Sequence, residues 1–239
     1  MLRSGLVSHD AEMSYSPTYR HWLTVAGSHL SGKTISKLDG VINYLEAGRW
    51  MREHKFKPRW FRDRRDIWES IGTAIGNQPA VYLEFGVDEG FSIRYWAKLL
   101  THPASHLHGF DSFDGLPEKW RTDYEAGHFS HGGRIPTVDD RRVKFFKGWF
   151  NETLPKYTVP AEHTCLVINL DADLYSSTSY VLAHLCAAIT PGTYIYLDEF
   201  AYRYHELKAF DEFMKTSGKS FEAVGATKDL QHVAFVCRS

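Results

Sequence analysis

From Pro79 to the C-terminus, short apolar runs alternate with stretches of helical period. The runs at 81–85, 107–110, 143–146, 165–170 and 194–198 have the length of strands buried on both faces. Helical spacing fills 91–100, 178–189 and 206–215, with a short helical turn at 151–154. The final runs, 221–224 and 232–236, predict a closing antiparallel pair. Such βα alternation specifies an α/β fold with a mostly parallel sheet and helices on both faces. The connection over 112–140 is too long for an ordinary turn, so it predicts a functional loop or lid. Before residue 78 no good strand is evident. Apolar positions 35, 38, 41, 42 and 45 predict one helix, and 66–75 a second, ended by Gly76-Asn77 with Pro79 beyond. The expected division is therefore an N-terminal helical extension or lid at 1–77 and an α/β domain at 78–239.

Polar positions sharpen this pattern. The runs end in acids: Glu84, Asp111, Asp171 with Asp173, and Asp198 with Glu199. Ligands of open parallel sheets bind beyond the carboxyl ends of the strands. The acids are thus expected along one edge, where repulsion and desolvation oppose them unless a ligand or cation compensates.

Composition excludes several function classes. Charged residues are 24% of 239 and the formal net charge is -1, which gives no polyanion-binding surface for nucleic acid. The basic, aromatic stretch 54–65 reads as a solvated face or lid. No run reaches the roughly 18 apolar residues of a membrane span. Residues 1–10 lack the apolar stretch of a signal peptide. Cys165, Cys186 and Cys237 show neither zinc spacing nor a disulfide framework, and a cytoplasmic location is the default expectation.

The first acidic group points to a cofactor. Glu84-Phe85-Gly86-Val87-Asp88-Glu89-Gly90 is a strand end, a glycine turn and a helix start. A dinucleotide's pyrophosphate would sit at that helix start. Asp88 and Glu89 would repel it, and with Glu84 they suit an ammonium and a sulfonium, the charges of S-adenosylmethionine. Charge stabilisation of the helix start, about 0.3–1 kcal/mol each, is the alternative for Asp88 and Glu89. Asp111 follows Gly90 by about 20 residues, the spacing of an acid that binds ribose hydroxyls.

Four motifs in order carry a family resemblance: Glu84-Phe85-Gly86-Val87 with Gly90; Gly109-Phe110-Asp111-Ser112-Phe113 with Gly115-Leu116-Pro117-Glu118; Lys147-Gly148-Trp149-Phe150 with Thr153-Leu154-Pro155; and Leu170-Asp171 with Asp173-Leu174-Tyr175 and Ser177-Thr178. Over about 80–200 the chain resembles the macrocin O-methyltransferase (TylF-like) family of class I S-adenosylmethionine-dependent methyltransferases. The resemblance implies a Rossmann-like, seven-stranded, mostly parallel sheet with a C-terminal antiparallel hairpin. It implies cofactor contacts at Glu84, Gly86, Asp111 and Ser112, with Gly148-Trp149-Phe150 near the adenine, and Gly90 joins the cofactor-binding set because its turn lets the backbone approach the ligand.

The second acidic group belongs to the acceptor. Converging carboxylates favour a hard cation such as Mg²⁺. The resemblance implies magnesium held by Asp171, Asp198 and Glu199, although Glu199 stands where the family pattern has an aspartate. It also implies Asp173 as general base, with Asp171 in the catalytic group. The expected reaction is methyl transfer to a small-molecule hydroxyl, of sugar or natural-product type. The other classes are a nicotinamide-dependent oxidoreductase, opposed by Asp88 and Glu89, and a non-catalytic S-adenosylmethionine-binding module.

Other residues stay open. His128 and His131 are loop histidines or cofactor contacts. His205 lines the acceptor site or begins a helix, and Tyr175 sits beside Asp173. Trp50, Trp60 and Trp120 cover a ring-shaped acceptor or pack helices. A homodimer contact is one use open to the amphipathic N-terminal helices.

Overall fold

The computed structural model describes residues 16–121 and 124–239. Residues 1–10, with their expected lack of a signal stretch, lie outside the described residues. The chain divides into two units, Met1–Gly40 and Val41–Ser239. In the first, α1 (Pro17–Ser28) begins at Ser16, whose side chain accepts from the Tyr19 amide, and Pro17 occupies the first turn, where it costs no hydrogen bond. Helix α2 spans Gly32–Glu53, and its buried residues, Asn43, Ala47 and Trp50, belong to the second unit.

The second unit is built on one sheet. Its strands are β1 (Arg59–Phe61), β2 (Ala80–Phe85), β3 (His106–Asp111), β4 (Val143–Lys147), β5 (Cys165–Leu170), β6 (Tyr194–Leu197), β7 (Phe221–Thr227) and β8 (Val233–Cys237). Their order is β4-β3-β2-β5-β6-β8-β7-β1. Only β8 runs antiparallel to its neighbours β6 and β7. Helices α3 (Arg64–Ile75), α4 (Phe91–Leu99), α5 (Phe150–Thr153), α6 (Tyr175–Leu185) and α7 (Glu206–Ser217) connect them. The expected mostly parallel sheet with a closing antiparallel pair is present, and this is the class I methyltransferase arrangement.

The two-residue period of a strand divides the core. Val81, Leu83 and Phe85 face one side, packing with Val181, Leu182 and Phe210 of α6 and α7. Ala80 and Tyr82 face the other, with Ile67, Trp68 and Ile71 of α3 and Ile93 and Trp96 of α4. Each fully buried large aliphatic side chain stabilises by about 1.5–3 kcal/mol. This is why the central runs are apolar at every position rather than alternating.

The eighth strand, β1, was not expected. It comes from the basic, aromatic stretch and pairs in parallel with the β7 edge through Arg59, Trp60 and Phe61. Gly225 makes this possible, because a Cβ there would lie 2.4 Å from the Phe61 ring. Three residues at an edge leave too short a pattern to read in sequence. The capping box of Asp63 and Asp66 then starts α3 immediately.

Candidate active site

The carboxyl ends of β2, β3 and β5 are drawn together by a glycine. Gly86 turns at φ 91°, and a Cβ there would lie 1.8 Å from the Asp171 carbonyl oxygen. Only glycine permits that approach. The Asp171 amide donates to the Phe85 carbonyl at 2.9 Å and Gly86 donates to Phe110 at 3.0 Å, so the three strand ends form one rim.

A cavity of about 860 Å³ opens on this rim. Gly86, Asp111, Ser112, Gly148, Trp149 and Phe150 line one side. Asp171, Asp173 and Glu199 line the other, with Trp120, Arg121, Tyr124, Phe129 and Tyr180 of the loop and α6. Arg64, at the start of α3, completes the wall. Glu84, Gly90 and Asp198, three of the residues expected at the site, are not part of the lining. Glu84, two residues before the Gly86 turn, shares its strand face with Tyr82 and is fully buried beside the Ser92 hydroxyl. Burial pushes its carboxyl up to about 8 despite that hydrogen bond. Gly90 turns into α4 at φ 77°, against Pro136.

Asp111 is fixed by the backbone. One carboxylate oxygen accepts from the amides of Val87 at 2.7 Å and Asp88 at 3.0 Å, and the other from Phe113 at 2.7 Å. The Ser112 hydroxyl accepts from the Asp114 amide at 3.1 Å. A rigid, open carboxylate beside a flat, part-exposed indole at Trp149 suits a ribose and an adenine, so these residues fit the adenosyl portion of S-adenosylmethionine.

The second half of the rim is differently charged. Asp173 sits in a left-handed conformation, φ 58°, just past β5. Burial, then the charges of Glu199 and Asp198, raise it to about 7. Burial, with Asp198, likewise raises Glu199 to about 7. Asp171 is pushed well up by burial and by Asp198 and Asp173. Glu206, fully buried, is also driven well up by burial while accepting from the Glu199 amide at 2.9 Å.

Asp198 alone goes the other way. Burial raises it, but His232, Arg64 and Tyr196 together hold it below the usual carboxylate range. Arg64 Nη1 lies 3.3 Å from both of its oxygens. The Tyr196 hydroxyl donates to Oδ1 at 2.7 Å, and His232 Nδ1 lies 3.1 Å from it. For the magnesium that the resemblance implies, this donor set does not fit. Asp198 is already engaged by a cation, and among the described residues no group of three or more acids, histidines or cysteines converges as a metal site.

The long loop is internally bonded rather than structureless. Leu116 and Gly127 exchange partners across it, with Leu116 donating to His128 at 2.9 Å and Gly127 to Leu116 at 2.8 Å. His131 pairs with Asp88, and His128 packs between Tyr124 and Phe129. His205 precedes α7, with its ring edge-on to Trp120 and outside the cavity lining. Tyr175 is engaged elsewhere, donating to Glu212 at 2.5 Å. Trp50 is a core residue bonded to Asp211 at 3.0 Å, and Trp60 is exposed on the edge strand.

Sequence reasoning missed Arg64 and Arg121. The Arg121 guanidinium lies over the rings of Trp120 at 3.9 Å and Tyr124 at 4.3 Å, and its charge opposes the upward shifts of Asp173 and Glu199. Arg121 lies in the unassigned loop. Arg64 belongs to a basic run whose bulk is solvated, so neither carried a distinguishing signal.

The macrocin-O-methyltransferase (TylF) family profile matches residues 78–224, more than half of the chain. A Streptomyces olivaceus 8-demethyl-8-(2,3-dimethoxy-alpha-L-rhamnosyl)-tetracenomycin-C 4'-O-methyltransferase is 33% identical over 144 residues, covering 52% of this chain and 54% of that protein. The demethyldecarbamoylnovobiocin O-methyltransferase of Streptomyces niveus is 39% identical over 61 residues, 26% of this chain and 22% of that protein. The matched stretches thus span about half or less of these curated relatives. Two solved structures share the fold at a TM-score of 0.56: the calicheamicin methyltransferase CalS11, 19% identical over 72% of this chain and 76% of its own, and the O-methyltransferase NovP, 22% identical over 74% and 79%. No helix among the described residues is long and apolar enough to cross a membrane.

Proposed function

The chain belongs to the macrocin-O-methyltransferase (TylF) family, and from that premise we propose that it transfers a methyl group from S-adenosylmethionine to a hydroxyl of a sugar-bearing natural product. The observation that carries this reading is Asp173, a carboxylate raised to about 7 on the same cavity wall as Asp171 and across from Asp111 and Ser112. S-Adenosylmethionine, when bound, supplies an electrophilic methyl on a sulfonium. Asp111 and Ser112 are the residues to hold its ribose, and Trp149 offers an aromatic face to its adenine.

Asp173 is the general base. A hydroxyl is a weak nucleophile at neutral pH, and an acid of pKa about 7 is matched to accept its proton. Its left-handed backbone sets the carboxylate into the cavity instead of back along β5. Asp171, whose carboxyl is pushed well up by burial and by Asp198 and Asp173, shares the cavity lining with Asp173 and is placed to orient the acceptor by a hydrogen bond. Trp120, Tyr124 and Phe129 offer flat apolar faces for a sugar ring and an aromatic aglycone. The names of the two curated relatives, one acting on a rhamnosyl compound, support a glycosylated acceptor. Magnesium assistance forms no part of this reading, because Asp198 is committed to Arg64.

The test is transfer of an isotopically labelled methyl from S-adenosylmethionine to a panel of rhamnosylated polyketides and aminocoumarins, followed by mass spectrometry. Labelling at a carbon or nitrogen, or none with S-adenosylmethionine failing to bind in calorimetry, would overturn the assignment.

A further inference from the structure

Acids converging at one sheet edge need protons or cations to persist. Asp198 is the member of this set that meets a cation, and that cation is a side chain 134 positions away in sequence. We propose that Arg64 is the built-in cation of the acceptor site: its guanidinium, paired with Asp198, supplies the positive charge that a divalent ion would otherwise bring, and so keeps magnesium out.

Four observations support it. Arg64 Nη1 reaches both carboxylate oxygens of Asp198 at 3.3 Å, while Tyr196 and His232 take further positions on Oδ1, so a metal at Asp198 would have to compete with the guanidinium at either oxygen. The guanidinium is braced from behind, 5.3 Å over the Trp68 ring and 5.5 Å over Phe91, which leaves it few alternative positions. Its place is fixed in the chain too, because the Asp63 capping box starts α3 at Arg64 itself. The side chain remains 34% exposed and lines the cavity, so its charge is felt where the acceptor binds. A dication placed beside a fixed guanidinium is repelled by it, and the departure of Glu199 from an aspartate then carries no penalty. Arg64 acts here through Asp198 and is a positioning residue.

Manganese(II) chloride is the probe, read by the loss of the free-ion electron paramagnetic resonance signal on titration into the full chain. Wild-type protein should take up no Mn²⁺ up to millimolar concentration. Arg64→Gln should gain one site, at least roughly tenfold tighter than any wild-type binding, and adding Asp198→Asn to that variant should remove it. Arg64→Lys, which keeps the charge, should behave as wild type. Stoichiometric Mn²⁺ binding by wild type that Asp198→Asn abolishes would overturn the inference. So would a folded Arg64→Gln variant that gains no site, because Arg64 would then not be what excludes the ion. The wild-type titration stands even if a variant fails to fold. The inference rests on the methyl-transfer reading for its catalytic meaning. An S-adenosylmethionine titration run alongside separates the two, since failure of that ligand to bind sinks the function and leaves the manganese result as it stands.

Discussion

At the end of β3 the acid is satisfied by the chain's own backbone, whereas the acids at the ends of β5 and β6 answer to one another and to side chains, Arg64 and His232 at Asp198 and the charge of Arg121 at Asp173 and Glu199. Asp111 accepts from three amides and faces the cavity as a fixed carboxylate. Asp171, Asp173 and Glu199 have raised carboxyls, and Asp198 is held charged by Arg64 and His232. The difference teaches what each half does. Amides fix the orientation of a carboxylate, which suits binding. Desolvation and like charge move pKa values toward neutrality, which suits proton transfer.

The sharpest way to break this contrast is Asp173→Asn. Removing a general base costs about 10²–10⁴ in rate, so turnover should nearly vanish while S-adenosylmethionine affinity, by calorimetry, stays near wild type. Comparable loss of both would place Asp173 in the binding half. Gly86→Ala comes next. Its Cβ would collide with the Asp171 carbonyl, and the left-handed φ adds strain, so a loss of about 3 kcal/mol or more is expected in denaturant unfolding. A near-wild-type midpoint would mean that the β2 turn is not clasped to β5.

Asp111→Ala leaves three amides without their acceptor. A loss of about 2–3 kcal/mol in stability or cofactor affinity is expected, with the pH dependence of turnover unchanged. A shifted pH profile would erase the distinction between the halves. The smallest effect is the pH response of wild type itself. Asp173 must be deprotonated to act, so kcat/KM should rise about tenfold per pH unit below about 7 and level off above it. A flat profile from acid to neutral pH would remove Asp173 as the base.

Stability should run the other way. Glu84 titrates at about 8 and Asp173 and Glu199 at about 7 in the folded chain, all above their unfolded values. Between about 4.5 and about 8 the folded state therefore holds more protons than the unfolded state, and unfolding free energy should fall as pH rises through that window. Asp198, shifted downward, contributes stability that is lost only at lower pH. Urea midpoints across this range check the sign.

Much of this was legible before any coordinates. The buried strands β2 and β5 declared themselves because strands buried on both faces are apolar throughout, and α3 because its glycine terminator is local, although its start, at Arg64 after the Asp63 cap, lies two residues before the expected one. Asp111, Asp171 and Asp173 were placed on the rim by their position at strand ends alone. Glu84 was expected beside them, yet it stands inside β2, two residues before the Gly86 turn that reaches the rim, and is fully buried against Ser92. The strand β1 could not be read from three residues whose pairing depends on Gly225, far along the chain.

The sequence by itself determined the order of strands and helices, the acids at their ends and the family, because these depend on local periodicity and on motifs of a few residues. Tertiary structure decided which acids share a cavity, which carboxyls are pushed upward and which one meets a cation. Those properties depend on burial and on distances between residues remote in sequence. Arg64 shows this most clearly: in the chain it is one basic residue among several, and in the fold it lies against Asp198.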